Sequence, residues 1–221
     1  DPQAPTLILL HGNGEDHTYF KRQMGPFSQH FRVIAVDTRG HGESPRGTAP
    51  FTLEQFAEDL KEFLDGRSIT RCHLLGFSDG GNIALLFALK YPEYVEKLIL
   101  NGADLCPSGV KLTTQLPIVL GYGCCRLLSP FSHKARQNGA VLGLMVNHPH
   151  IPSQALAALT MPALVIVGER DMIRDRHSQL IARSLPNAQF VRIPGGDHFC
   201  AAKCPEAFNR AVLSFLQNLP A

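Results

Sequence analysis

The sequence predicts an α/β domain in which a mostly parallel sheet is flanked by helices on both sides and carries a small helical cap. Short apolar runs alternate with longer amphipathic stretches, which is typical of strands joined by helical crossovers. Several of the runs are hydrophobic throughout, as expected of strands buried on both faces. One long segment without a clear strand interrupts this alternation. A chain of 221 residues suits one such domain.

Six apolar runs are predicted to be strands, and five amphipathic stretches between them are predicted to be helices. The helix that follows Phe51 has the clearest start, because Thr52 can cap it ahead of Glu54. The predicted strands are Thr6–Leu10, Arg32–Asp37, Arg71–Phe77, Val95–Asn101, Ala163–Val167 and Gln189–Ile193. The predicted helices are Tyr19–His30, Leu53–Leu64, Asn82–Lys90, Arg174–Ser184 and Pro205–Gln217.

The interrupting segment is predicted to form the cap. Apolar residues recur at helical spacings in Leu116–Leu128, and a second apolar helix is predicted at Ala140–Met145. The segment is too long for a simple loop, and the ligands of such sheets bind at the carboxyl ends of the strands, which a cap would cover. We therefore expect a core formed by residues 1–105 and 160–221 and a cap formed by residues 106–159. In the alternative, these helices merely complete the core.

Composition and charge exclude several classes of partner. The net charge is +2 and no long basic run occurs, so nucleic acid is not expected as a partner. The stretch Leu116–Leu128 contains Arg126 and is too short to span a bilayer, so stable membrane insertion is not expected. The first residues lack the basic start and the cleavage site of a signal peptide. These features favour a cytoplasmic protein.

The six cysteines indicate reduced thiols rather than a disulfide framework, because they are few and two of them, Cys124 and Cys125, are adjacent. A zinc site formed by His198, Cys200 and Cys204 is an alternative to buried thiols, but it lacks a convincing further ligand. No metal and no organic cofactor is therefore expected.

A candidate nucleophile lies in the pentapeptide Gly76-Phe77-Ser78-Asp79-Gly80, which stands between a predicted strand and a predicted helix. This G-x-S-x-G pattern is typical of a nucleophile elbow, in which flanking glycines allow a sharp turn that exposes the serine hydroxyl. The N-terminus of the following helix offers free N–H groups to a developing anion. Ser78 could instead serve only as a turn or cap residue.

A serine nucleophile needs a base and an acid that orients the base. Downstream, Asp171 follows a predicted strand and His198 lies in the loop that follows the next one, so both fall at the same edge of the sheet as Ser78. We predict that His198 is the base and Asp171 the acid. Further candidates for the acid are Glu169, Asp175 and Asp104.

The oxyanion hole is predicted to use backbone N–H groups. One donor is Asp79, the residue after the nucleophile, and the other is Asn13 in the glycine-containing loop after the first strand. The substrate pocket is predicted to include Phe77 together with Leu144 and Met145 of the cap. The Asp79 side chain either stabilises the helix N-terminus or attracts a cationic substrate group.

The sequence resembles the α/β-hydrolase superfamily over nearly its whole length, and its GFSDGG elbow and modest cap are similar to those of valacyclovir-hydrolase-like and esterase-like serine hydrolases. The resemblance implies that Ser78, Asp171 and His198 form the triad. Family members usually have a strand hairpin ahead of the first matching strand. Here, either residues precede Asp1 or the sheet is smaller, with six parallel strands. The matching segments are LILLHGNG, VIAVDTRGHGES, LLGFSDGGNIAL, KLILNGA, ALVIVGERD and IPGGDHF.

The expected activity is hydrolysis of small carboxylic esters through an acyl-enzyme on Ser78. A small-molecule ester is the expected partner, and no oligomeric state is predicted. The same scaffold supports C–C bond hydrolases and enol-lactonases. Other members are small-molecule receptors in which hydrolysis is vestigial.

Overall fold

Six strands form one sheet in which every neighbouring pair is parallel, in a computed structural model that describes residues 4–218. The strands are β1 (Thr6–Leu10), β2 (Arg32–Val36), β3 (Cys72–Phe77), β4 (Val95–Asn101), β5 (Ala163–Gly168) and β6 (Ala188–Ile193). Their spatial order is β2-β1-β3-β4-β5-β6. The predicted α/β class and the six predicted strands are confirmed.

The helices cover the sheet, and two of them lie in the segment predicted to form the cap. They are α1 (Lys21–Ser28), α2 (Leu53–Gly66), α3 (Asp79–Lys90), α4 (Leu112–Leu128), α5 (His133–Asn147), α6 (Asp175–Ser184), α7 (Cys200–Lys203) and α8 (Pro205–Leu216). The helices α4 and α5 come between β4 and β5 along the chain, and they pack against each other. None of the described helices has the length and apolar character needed to cross a membrane.

Several helices differ from their predicted bounds, and for two of them the local reason is clear. The helix α3 begins at Asp79 rather than Asn82, because the chain enters it directly from the turn at Ser78. The helix α5 begins at His133, well before the predicted Ala140. Its start is set by the side chain of Ser132, which accepts a hydrogen bond from the Ala135 N–H at 3.2 Å.

The core consists of two apolar clusters, one on each face of the sheet. Successive side chains of β1 point to opposite faces, so Leu7 and Leu9 belong to one cluster while Ile8 and Leu10 belong to the other. All four are buried, and each such side chain stabilises the fold by about 1.5–3 kcal/mol. The central strands are therefore held rigidly from both sides.

The register of the strands aligns their carboxyl ends. Leu10 of β1 lies beside Gly76 of β3, and Phe77 lies beside Asn101 of β4. Asn101 in turn lies beside Ile166 of β5. The loops that follow β1, β3, β4, β5 and β6 therefore emerge at one edge of the sheet.

Gly80→Ala should unfold or strongly destabilise the protein. A Cβ atom at position 80 would lie 2.2 Å from the Leu10 carbonyl oxygen and 2.5 Å from that of His11, and backbone cannot yield as a side chain can. The free energy of unfolding, measured with urea, should fall by about 3 kcal/mol or more. The control is Gly123→Ala in α4, where no atom lies within 4 Å of the added methyl group. It should be neutral or stabilising by up to about 1 kcal/mol. Equal loss in both variants would contradict this account.

Candidate active site

Ser78 sits in a backbone turn that only a closely packed neighbourhood can hold. Its φ of 53° and ψ of −120° lie in a region that side-chain-bearing residues rarely occupy. The Ser78 N–H donates to the Asn101 carbonyl at 2.8 Å, and the Ser78 carbonyl accepts from the N–H groups of Gly81 and Asn82. The turn therefore joins β3 to α3 and leaves the Ser78 hydroxyl at the carboxyl edge of the sheet.

The structure brings together the three residues predicted to form the triad. The Nε2 atom of His198 lies 3.0 Å from Ser78 Oγ, and its Nδ1 atom lies 2.7 Å from Asp171 Oδ1. All three residues are buried, with exposed fractions of 9% for Ser78 and 4% for the other two. The contacts form a continuous chain from hydroxyl to imidazole to carboxylate.

Asp171 is held from its own loop and from the start of the cap. Its Oδ1 atom accepts a hydrogen bond from the Ile173 N–H at 2.9 Å, and its carbonyl oxygen accepts one from Lys111 Nζ at 2.5 Å. Gly102, after β4, has a φ of +62°, and a Cβ atom there would lie 2.9 Å from the His198 ring. A glycine at this position therefore leaves room for the imidazole.

The other candidates for the acid lie away from His198. The Glu169 side chain accepts from the Gly195 N–H at 2.9 Å, and Asp175 forms an ion pair with Arg192. Asp104 accepts a hydrogen bond from the Asn82 side chain at 3.0 Å. Asp171 alone among these four carboxylates contacts the His198 ring.

The two predicted oxyanion donors belong to segments that are also joined through side chains. The Asn13 amide donates to Asp79 Oδ2 at 2.8 Å and to the carbonyl oxygen of Val141, in α5, at 3.0 Å. Among the described residues, the backbone N–H groups of Asn13 and Asp79 have no protein acceptor. Both groups are therefore free to donate to a ligand.

Three carboxyl groups close to this site, of which Asp79 and Asp104 are buried and Glu15 is half-buried, hold their protons more strongly than usual. Burial raises the pKa of Asp79, although the side-chain amides of Asn13 and Asn82 donate to it. Burial, with the neighbouring charge of Asp79, raises the pKa of Asp104 to about 7. Burial also raises the pKa of Glu15 to about 7, against a hydrogen bond from the Gly12 N–H.

The sequence-based interpretation missed Glu15 and Asn82. Asn82 holds Asp79 and Asp104 through its amide, and it is fully buried in an otherwise apolar helical stretch. A polar residue on a buried helix face is a signal that could have found it. Glu15 follows the glycines of the loop after β1, where only the three-dimensional approach to Gly12 and Phe77 indicates its proximity.

The residues predicted to line the substrate pocket have different surroundings. Phe77 is buried, stacks on Tyr19 at 4.3 Å between ring centroids, and lies 4.9 Å from the His198 ring centroid. Leu144 is buried in the core cluster that also contains α2 and α3 residues, while Met145 is half-buried. A cavity of about 410 Å³ lies between α4, α5 and Phe51 and is lined by none of the three.

The cysteines and histidines do not converge on a metal-binding cluster. Cys200 is buried, and its Sγ atom accepts a hydrogen bond from the Asn101 amide at 3.4 Å. Within residues 4–218, no group of three or more His, Cys, Asp or Glu side chains is arranged to hold a metal ion. All six cysteines are free thiols.

The fold and the arrangement at the sheet edge define a class of protein. A family model described as the α/β hydrolase fold matches residues 5–122, and the chain belongs to this family of hydrolases.

The names of individual relatives describe several different activities. A protein of Caulobacter sp. (strain K31) named putative carbamate hydrolase RutD is 30% identical, over 96% of this chain and 91% of its own. A thermophilic esterase from Thermogutta terrifontis is 27% identical with a TM-score of 0.79, covering 97% and 90% of the two chains. The enol-lactonase from Burkholderia xenovorans LB400 shares the fold, with a TM-score of 0.82 at 22% identity, covering 97% and 92%.

Replacing Asp104 by asparagine should flatten the pH dependence of stability. Since the folded protein binds this proton more tightly than the unfolded chain, the free energy of unfolding falls as the pH rises from about 4 to about 7. An asparagine side chain at this position cannot ionise, so the loss between pH 4.5 and pH 8 should be smaller than in the wild type by roughly 2 kcal/mol. Urea unfolding at both pH values measures it. Parallel pH profiles would mean that Asp104 ionises as an ordinary carboxyl group.

Proposed function

We propose that this hydrolase cleaves small carboxylic esters through an acyl-enzyme on Ser78. The observation that carries the proposal is the pair of hydrogen bonds that links Ser78 to His198 and His198 to Asp171. A hydroxyl, an imidazole and a carboxylate in this chain form the standard apparatus for activating a serine. The 27% identical esterase from Thermogutta terrifontis supports the choice of an ester.

In the first half-reaction, Ser78 Oγ attacks the carbonyl carbon of the ester while His198 Nε2 takes the hydroxyl proton. The tetrahedral intermediate collapses when the bond to the alcohol oxygen breaks and His198 returns the proton to that oxygen. The alcohol leaves, and the acyl group stays on Ser78. The Asp171 carboxylate keeps the proton of His198 on Nδ1 and stabilises the imidazolium.

In the second half-reaction, a water molecule takes the place of the alcohol. His198 removes a proton from the water as its oxygen attacks the acyl carbon. Collapse of the second tetrahedral intermediate breaks the bond to Ser78 Oγ, which recovers its proton from His198. The carboxylic acid is released. His198 therefore mediates every proton transfer in both half-reactions.

The backbone N–H groups of Asn13 and Asp79 donate to the oxyanion that forms in each step. Both belong to segments held by buried contacts, so neither needs to reorganise as the charge develops. Donors arranged in advance are worth about 2.7–4 kcal/mol each in related chemistry. Position 79 is the first residue of α3, so the positive end of the helix adds to this stabilisation.

The buried carboxyl pair suggests a preference within the esters. Asp79 and Asp104 both contact Asn82, and Asp79 follows the nucleophile directly. Little water reaches them, so a cationic substrate group would replace the missing countercharge, and an anionic group would be repelled. We therefore propose esters that carry an amine as the preferred substrates. Such a group would lower the pKa of both carboxyls.

Carbamates are a second candidate class, because the 30% identical relative from Caulobacter is named a carbamate hydrolase. The same serine attack on a carbamate carbonyl would either release the alcohol and leave a carbamoyl group on Ser78, or release the amine and leave a carbonate group there. Parallel assays with an ester and a carbamate of equal size distinguish the two. No contact among the described residues specifically favours C–C bond cleavage, lactone opening or a receptor role.

Substitution of the triad should abolish turnover without unfolding the protein. We expect kcat to fall by about 10⁴ or more in Ser78→Ala and His198→Ala, because triad members act as a unit. Asp171→Asn should be severe as well, since it favours the wrong tautomer of His198. The matched control is Asp104→Asn, a second buried carboxylate at the same edge, which should keep most of kcat. The measurement is hydrolysis of a neutral chromogenic ester, which makes no use of the Asp79 and Asp104 charges. A folded Ser78→Ala variant with a tenth of the wild-type rate would refute the mechanism.

Asp79→Asn should reduce activity selectively on amine-bearing esters, because it keeps the backbone N–H and removes the charge. For an α-amino ester, kcat/KM should fall at least tenfold, or ~1.4 kcal/mol. A neutral ester of equal size should change little. Equal losses on the two esters would assign Asp79 a structural role at the start of α3, without altering the assignment of the nucleophile.

A further inference from the structure

The helix α4 exposes an unusual amount of apolar surface. Of the large apolar side chains that are at least 40% exposed among the described residues, all but Leu180 and Phe199 fall in or just after α4. Phe131, at the turn that follows α4, is 89% exposed. A contiguous patch of this kind on a globular protein marks an interaction surface. The exposed set is Leu112, Leu116, Val119, Leu120, Leu127, Leu128 and Phe131.

Most of these side chains form one stripe along the outer side of the helix. The spacing of Leu112, Leu116, Val119, Leu120 and Leu127, here called the cap stripe, confines them to a sector of about 100°. No residue of α4 is buried, and its opposite side rests on α5. The apolar face of α4 therefore points away from the protein.

Close packing of α4 on α5 explains why this outer face stays uncovered. The two helices approach through small residues. A Cβ atom at Gly139 would lie 3.2 Å from Cys125, and one at Gly143 would lie 3.2 Å from the Tyr122 ring. The inner side of α4 is thus covered by α5, and the cap stripe is left available to a different binding partner.

The segment of the chain that contains the cap stripe has basic residues but no acidic ones. No Asp or Glu occurs between Asp104 and Glu169, whereas Lys111, Arg126, Lys134 and Arg136 do. Among the described residues, Arg126, Lys134 and Arg136 form no ion pair, and all three are exposed. The cap segment is therefore cationic and also bears the exposed apolar face of α4, although the whole chain is nearly neutral.

We propose that the cap stripe adsorbs to an anionic lipid surface, with its leucines and Phe131 in the interfacial layer. A helix that presents Leu and Phe beside Lys and Arg binds in the plane of such an interface without crossing it. The basic side chains are drawn to the anionic headgroups. This inference concerns the outer face of the cap and is independent of which bond Ser78 attacks.

Charge favours lipid over a second copy of this chain. Two caps facing each other would bring together two segments that carry basic and no acidic residues, and this like-charge juxtaposition costs free energy. A lipid surface also needs no matching shape, and the outer side of a single helix is a convex ridge rather than a groove. An acidic protein partner would need a complementary concave surface to cover the same ridge.

The test is sedimentation of the full chain with vesicles. Vesicles of phosphatidylcholine alone are compared with vesicles of seven parts phosphatidylcholine to three parts phosphatidylglycerol. The wild type should bind the anionic vesicles at least tenfold more tightly, and added salt should weaken that binding. The double variant Leu116→Gln, Leu127→Gln should bind at least tenfold more weakly than the wild type, because it removes two interfacial side chains.

Leu180→Gln is the matched control, because Leu180 is also an exposed leucine on a helix but lies in α6. It should bind vesicles as the wild type does, and all variants should hydrolyse a water-soluble ester at the wild-type rate. If the leucine double variant does not fold, Arg126→Glu with Lys134→Glu provides the second test, again with at least tenfold weaker binding.

Three results would overturn the proposal. The first is absence of binding to anionic vesicles, and the second is equal binding by the leucine double variant. The third is self-association that depends on protein concentration, is lost in that variant and occurs without vesicle binding, since a second copy would then cover the cap stripe.

Discussion

The close approach of two pieces of backbone at the elbow is the constraint on which the rest of the site depends. A Cβ atom at Gly76 would lie 2.1 Å from the Gly80 carbonyl oxygen, and one at Gly80 would meet the end of β1. The glycines therefore let α3 press against both β3 and β1, which holds Ser78 in its strained conformation. The same contact fixes the beginning of the loop that carries Asn13. The proposed nucleophile and the proposed oxyanion donors are thus positioned by one backbone contact rather than by separate side chains.

The parts of the fold that were predictable are those in which local sequence and tertiary environment agree. Continuously apolar runs such as Ala163–Val167 match strands buried on both faces, and the observed β5 differs from the predicted run by one residue. The helix α5 was predicted too short because His133–Gly139 has little apolar character, and its start depends on the cap at Ser132. A helix boundary that is set by a single side-chain hydrogen bond is difficult to recognise from the periodicity of apolar residues.

For the candidate site, the pentapeptide around Ser78 and the order of the acid and histidine along the chain identified three residues that the structure brings into contact. The sequence favoured Asp171 as the acid but left Asp104 as an alternative, because both come after strands of the same sheet edge. Only the side-chain directions separate them. Periodicity likewise predicted that α4 has an apolar face, but it could not tell whether that face points inward or outward.

The Asn13 amide contacts the core at Asp79 and the cap at Val141, so a single side chain spans the two. Loss of this amide would remove a hydrogen bond to α5 and a hydrogen-bond donor to Asp79 at the same time. Because that donor lowers the pKa of Asp79 against the effect of burial, the position of α5 and the protonation of the carboxyl group beside Ser78 are linked through one side chain.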